Sequence, residues 1–273
     1  MLLDFSMQSE YSFWGMFYLA IPLRAGFNYR DRNLFLTHPL LLPEEGFSKK
    51  HVIEYFCDLG RMLGVEVAEK RPDVTLSFEQ LSRAKKILGI TGGINKKYIV
   101  VSPGGGSTWG QDAGYKHWPV EYFAKLINMI GAKLIFEDVV VLGSGNEAYL
   151  GEGLKNALHI NVVNLAGKTD LIEAAAIIKG SLLFLGNDGG LAHLAVSQNT
   201  AVIAFYGPAD PNVYGVYPDS SNKARLSKNL DCQPCYKNFR YDKSCSSHSC
   251  LKGFTPEEAF DRLTDMDFFS NIT

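Results

Sequence analysis

The sequence predicts an α/β protein whose second half is a doubly wound parallel sheet. Three observations carry this. From Tyr98 onward, short apolar runs alternate with amphipathic helical stretches, the order that strands joined by crossover helices require. Residues 139–142 hold no polar side chain, as in a strand covered on both faces. Two glycine-rich turns, at 104–106 and 186–190, directly follow such runs, where ligands sit in open parallel sheets.

The elements follow in order. Residues 12–20 read as a buried helix, and PLRAGFNYR as a strand and turn. In HVIEYFCDLGRMLG, Val52, Ile53, Phe56, Leu59 and Leu63 share one helical face, with Gly64 as a stop. SFEQLSRAKKILGI aligns Phe78, Leu81, Ala84 and Leu88. The polar, glycine-rich TGGINKK then marks a domain boundary, giving a first domain of residues 1–93 and a second of 94–273. In the second, YIVVSP, DVVVLG, NVVNLAG, LLFLGN and, last, AVIAFYG read as strands. PVEYFAKLINMIG is a helix opened by Pro119 and closed by Gly131, with Val120, Phe123, Ile127 and Ile130 as its buried stripe. DLIEAAAIIKG and LAHLAVSQ are the next two helices.

Composition narrows the function. The 273 residues are 46% hydrophobic with a formal net charge of -2. That leaves no basic field to favour a nucleic-acid partner. The longest apolar run, FWGMFYLAIPL, is too short to span a bilayer and contains Pro22. The first ten residues hold two acids and no basic residue, unlike a secretory signal. A cytoplasmic protein is expected.

The loop VSPGGGSTWGQDAGYKHWP is the first candidate site. Gly104, Gly105 and Gly106 let backbone approach a ligand, and Ser107 and Thr108 offer hydroxyls. Lys116 precedes a helix whose first N–H groups favour an anion. The alternative is a plain surface loop. The order of glycines and lysine fits neither a Walker loop nor a G-x-G-x-x-G turn. GNDGGLAHLA is the second. Here Asp188 is placed for hydroxyl donors, and the N–H groups of Gly189, Gly190 and Leu191 for an anion, with His193 one turn on. The alternatives are an N-cap role for Asp188 and a packed core position for His193. Two anion-ready helix starts in one sheet point to a diphosphate, or to one phosphate approached twice. In GSGNE, Glu147 suits the paired hydroxyls of a ribose, or only complements a helix dipole.

PGGGSTWGQDAGYKHWP, NLAGKTDLIEAAAIIKGSLLFLGNDGGLAHLA, AVIAFYGPADP and CQPCY, in that order, resemble glycosyltransferase family 9, the heptosyltransferases of bacterial lipopolysaccharide core. The K-x-W-P and D-x-G-x-x-H elements are specific in combination. The resemblance covers residues 98–259 well and 4–93 more loosely. It implies a GT-B fold of two Rossmann-like domains, the first binding acceptor and the second a nucleotide-sugar donor, typically ADP-heptose. It implies an inverting, metal-independent transfer to lipopolysaccharide or a similar glycolipid, with peripheral inner-membrane contact. Ser107, Thr108 and Lys116 would hold the diphosphate and Glu147 would lie near the ribose. Asp188 would contact sugar or phosphates, and Gly189, Gly190, Leu191 and His193 would stabilise the departing diphosphate. The glycine- and aspartate-containing turn where the family's general base is expected has no counterpart near the start of this chain. An incomplete N-terminal domain is therefore expected, with no base to name, and a non-catalytic nucleotide-sugar-binding remnant is the alternative function.

Cys232, Cys235, Cys245 and Cys250 form C-x2-C-x9-C-x4-C. The first pair has zinc-ligand spacing. A structural four-thiolate zinc site and a set of reduced cysteines are the two readings. The D-x-D of Asp265 and Asp267 reads as a solvated helix end.

Overall fold

The computed structural model describes residues 1–5, 10–29, 35–67, 71–89, 97–108, 111–112, 114–237, 239–242 and 245–272, with the side chains of 107, 108, 111 and 112 left out. It divides into two compact units. The smaller comprises Met1–Lys70, Asn212–Tyr214 and Cys235–Asp242, and the larger Arg71–Pro211, Gly215–Pro234 and Lys243–Thr273. The division falls near residue 70, whereas the sequence suggested one near Gly93. Residues 71–87 join the larger unit because helix α3 (Phe78–Ile87) lays Leu81, Ala84 and Ile87 on its core. The stretch 91–96, taken as the boundary, lies outside the described residues.

In the smaller unit, β1 (Leu2–Asp4), β2 (Arg24–Asn28) and β3 (His38–Leu41) form a parallel sheet in that order. Helix α1 (Glu10–Phe17) is not buried as the sequence suggested: Tyr11, Trp14 and Phe17 are exposed. Its packed face is made by the small residues Ser12 and Gly15, and a Cβ on Gly15 would stand 2.8 Å from Leu2. A helix apolar on every side gives no sign of which face turns inward. Helix α2 (Val52–Met62) buries Tyr55 and Leu59 with Ala25, Phe27 and Phe47. The buried face is thus rotated from the one that included Phe56, which is half-exposed.

The larger unit is a six-stranded parallel sheet. Its strands are β4 (Tyr98–Ser102), β5 (Asp138–Val141), β6 (Asn161–Asn164), β7 (Leu183–Asn187), β8 (Ala201–Tyr206) and β9 (Lys223–Ser227). Their spatial order is β9-β8-β7-β4-β5-β6, every pair parallel. The α/β class with parallel sheets is therefore as expected, with one strand more than the sequence suggested. In β9, Lys223 and Arg225 alternate with buried Ala224 and Leu226, so an edge strand escaped a search for apolar runs.

Side chains alternate across the sheet. Ile99 and Val101 face a core with α4 (Val120–Ile130), Trp118, Phe205 and Phe254, closed by α8. Here α8 is Pro256–Asp265, and Asp265 and Asp267 stand at its end as expected. Tyr98 and Val100 face the other core, under α3, α6 (Leu171–Lys179) and α7 (Gly190–Ser197). Helix α5 (Ala148–Ala157) follows β5. The stripe expected on α4 is buried at Phe123, Ile127 and Ile130, but Phe78 of α3, placed on a packed face by spacing, is 87% exposed. Among the described residues no helix is long and apolar enough to cross a membrane.

Candidate functional site

Counted from β4, the larger sheet has the strand order 3-2-1-4-5-6 of a dinucleotide-binding fold. The chain leaves β4 toward one edge and β7 toward the other, so a crevice opens between their carboxyl ends. A cavity of about 510 Å³ lies there. Gly104, Gly105, Gly106, Glu147, Gly190 and His193 line its polar side, and Val74, Leu171, Ala174 and Leu194 its apolar side. Such a mix suits a ligand with a charged end and an apolar one.

The start of α7 supplies the polar centre. Its N-cap is Gly189, with no side-chain cap, and a helix start of that kind can take an anion. Asp188 is therefore not the N-cap. The start of α4, expected as a second anion site, is not among the cavity walls. It is held instead by Trp118, which is fully buried and stacks on Phe205 at 4.0 Å between centroids.

Glu147 holds the glycine loop. Its Oε1 accepts from the Gly106 N–H at 2.8 Å, and its Oε2 from the Ser144 N–H and hydroxyl, both at 2.8 Å. Gly106 needs its φ of +69°, which favours glycine. Gly104 leaves room for the carboxylate: a Cβ there would lie 2.0 Å from Oε1. Gly104→Ala is expected to push Glu147 off its three donors at a cost of about 1–3 kcal/mol. Denaturant melts check the cost, and faster exchange of the Gly106 amide checks the cause.

Lys116 and Asp188, given separate ligand roles by the sequence, are brought together. Nζ of Lys116 lies 2.9 Å from Oδ2 of Asp188, with side chains only 11% and 10% exposed. His193 is partly buried beside them. Burial holds its pKa below the ordinary value, Lys116 adds to that, and Asp188 opposes it. It is therefore neutral at neutral pH and lines the cavity, rather than being packed wholly in the core. A histidine whose pKa is lower folded than unfolded binds fewer protons folded. Stability then rises with pH and is lost as pH falls below the unfolded value of about 6.5. His193→Gln is expected to reduce that acid-side loss by one proton's slope, which denaturant melts from pH 7.5 to 5 would show. An unchanged slope would contradict the assignment.

Asn187 was missed by the sequence reading. It is 2% exposed. Its Nδ2 donates to the carbonyls of Pro103 at 2.7 Å and Gly104 at 3.4 Å, and its Oδ1 accepts from the Trp118 N–H at 3.1 Å. Its signal was its place, between a buried strand and Asp188.

Ser107 and Thr108 begin a short hairpin beyond the glycines, and their side chains lie outside the described residues. Among the described residues no three His, Cys, Asp or Glu side chains stand together as metal ligands. Cys250 is buried in the core, whereas Cys232 and Cys245 are exposed and Cys235 is intermediate.

Residues 7–244 match the family model described as glycosyltransferase family 9 (heptosyltransferase). Over 155 residues the chain is 34% identical to lipooligosaccharide heptosyltransferase 2 of Haemophilus influenzae, covering 55% of this chain and 43% of that one. It is 30% identical to lipopolysaccharide heptosyltransferase 2 of Escherichia coli, covering 54% and 42%. The chain spans about half the length of the curated relatives it matches. Among solved structures, the E. coli ADP-heptose heptosyltransferase II superposes with a TM-score of 0.68 at 21% identity, over 97% of this chain and 75% of that one. An E. coli heptosyltransferase solved with ADP gives 0.61 at 17%, over 97% and 72%. These are GT-B-type proteins, and the likeness is one of fold.

Proposed function

The chain belongs to glycosyltransferase family 9, and on that premise we propose that it transfers a heptose-type sugar from a nucleotide-sugar donor to the core of lipopolysaccharide. The donor is ADP-heptose or a close analogue, the transfer inverts the anomeric centre, and no metal takes part. The observation that carries this is the uncapped start of α7 at the crevice between β4 and β7.

Each group then has a task. The N–H groups of Gly190 and Leu191 take the diphosphate, where fixed donors stabilise the charge that grows on the leaving group. Gly104 and Gly105 let backbone close on it. Lys116 adds a charge-assisted donor, and Asp188 both holds Lys116 and accepts from the sugar. Neutral His193 donates or accepts without adding charge. A carboxylate has about four acceptor sites. Glu147 uses three on protein, which leaves one for a ribose hydroxyl. The apolar side near Leu171 and Leu194 takes the base. Ser107 and Thr108 join the phosphate contacts. A lipid-borne acceptor places the working enzyme at the inner face of a membrane, and nucleic acid has no part.

The test is transfer of labelled heptose from ADP-heptose to heptose-deficient lipopolysaccharide, in EDTA. Transfer is expected, and is expected to fall sharply in Asp188→Ala. A protein that binds ADP yet leaves every truncated core unmodified would contradict the catalytic reading.

A further inference from the structure

We propose that Asn187 is the positioning residue of this site, setting the gap between the glycine loop and the start of α7. The inference rests on the donor-site reading above, and adds to it a residue on the cavity wall whose side-chain amide is engaged by the protein itself. One buried amide joins three segments distant in sequence. It stands at the carboxyl end of β7, immediately before Asp188. It holds the loop after β4 through the Pro103 and Gly104 carbonyls, and the turn after Lys116 through the Trp118 N–H.

Only an amide satisfies all three partners. Two carbonyls require a donor, and an N–H requires an acceptor. The partners also fix which way the amide points, since the flipped group would set oxygen against two carbonyls. Asp lacks the donor when ionised, and Leu lacks both. Buried polar groups left without partners are costly, so loss of the amide moves the loop rather than leaving it in place. The same side chain sets how far Trp118, and with it Lys116 two residues earlier, lies from Asp188. Both walls of the phosphate end are thus referred to a single group.

The experiment compares Asn187→Asp with wild type by amide hydrogen exchange and by ADP calorimetry, at pH 8 and pH 5.5. At pH 8 the carboxylate cannot donate. Exchange of the Gly106 amide, which is bonded to Glu147, is expected to quicken about tenfold relative to wild type. The amides of Ile99, Val100 and Val101 in β4 should stay as protected as in wild type. ADP affinity should fall about tenfold. Burial beside Asp188 raises the pKa of the new carboxyl. At pH 5.5 its protonated form regains a donor and an acceptor, and both ratios to wild type should shrink. A folded variant with wild-type Gly106 exchange and wild-type ADP affinity at pH 8 overturns the proposal, as does a loss that pH leaves unchanged. Should Asn187→Asp not fold, Asn187→Ser decides by the same two readouts at pH 8. Its hydroxyl is too short to reach all three partners, so faster loop exchange and weaker ADP binding support the proposal, and wild-type values for both overturn it. A wild-type protein that does not bind ADP sinks the donor-site reading instead, and the exchange arm still decides the role of Asn187.

Discussion

Lys116→Met is expected to destabilise the larger unit by about 3–5 kcal/mol, the cost of leaving one charge of a buried pair without its partner. Asp188 is 8% exposed as a residue, and its carboxylate faces Lys116 at 2.9 Å. Asp188→Asn should cost less, because a neutral amide remains hydrogen-bond competent there. The double variant Lys116→Met/Asp188→Asn should be less destabilised than the sum of the two, because neither charge is then orphaned. Urea unfolding of the four proteins gives the coupling. Additive losses would mean that the pair is solvated enough for each charge to stand alone. The same series separates stability from binding. In the double variant a fold close to wild type should bind ADP about ten- to a hundredfold more weakly, since a charge-assisted contact is worth about 1.5–3 kcal/mol.

Trp118→Ala is the second large effect. Trp118 is 0% exposed, stacks on Phe205, meets Phe123 edge-on at 5.0 Å, and donates its indole N–H to the Phe254 carbonyl at 2.7 Å. Removing it leaves a large cavity and an orphaned buried carbonyl, for about 3–5 kcal/mol. At roughly 2–4 °C per kcal/mol for a unit of this size, melting should fall by roughly 6–20 °C. Trp118→Phe keeps the stacking and loses the hydrogen bond, so it should cost less than half as much. Equal losses for Ala and Phe would show that the indole bond, not the packing, anchors the turn. The tryptophan of the K-x-W-P element is a core residue, and the lysine two positions earlier pairs with Asp188.

Much of this was legible in the sequence because the signals are local. The strands 98–102, 138–141 and 183–187 are runs of buried apolar residues, and the amphipathic stripe of α4 declares its inward face. Glycines after a strand mark a close backbone approach, and both glycine turns line one cavity. What could not be read is set by tertiary contact. Lys116 and Asp188 are 72 residues apart, and nothing near either one shows the pairing. Asn187 bonds to residues 69 and 84 positions away. Helix α1 is apolar on all sides, so burial depended on its small residues meeting β1. In β9 the charged positions hid a strand whose other face is buried. The extra strand lies at the sheet edge beside β8.

The crevice between β4 and β7 is expected to bind a nucleoside diphosphate through the start of α7. Calorimetric titration of the purified chain with ADP in EDTA tests it most directly, with Gly190→Val run beside it. A Cβ on Gly190 meets no atom within 4 Å, so a side chain there fits the ligand-free fold and fills space at the helix start. One ADP site is expected in wild type without divalent metal, and its loss in a Gly190→Val protein that melts close to wild type. No binding in EDTA, or equal binding by the two proteins, would contradict it.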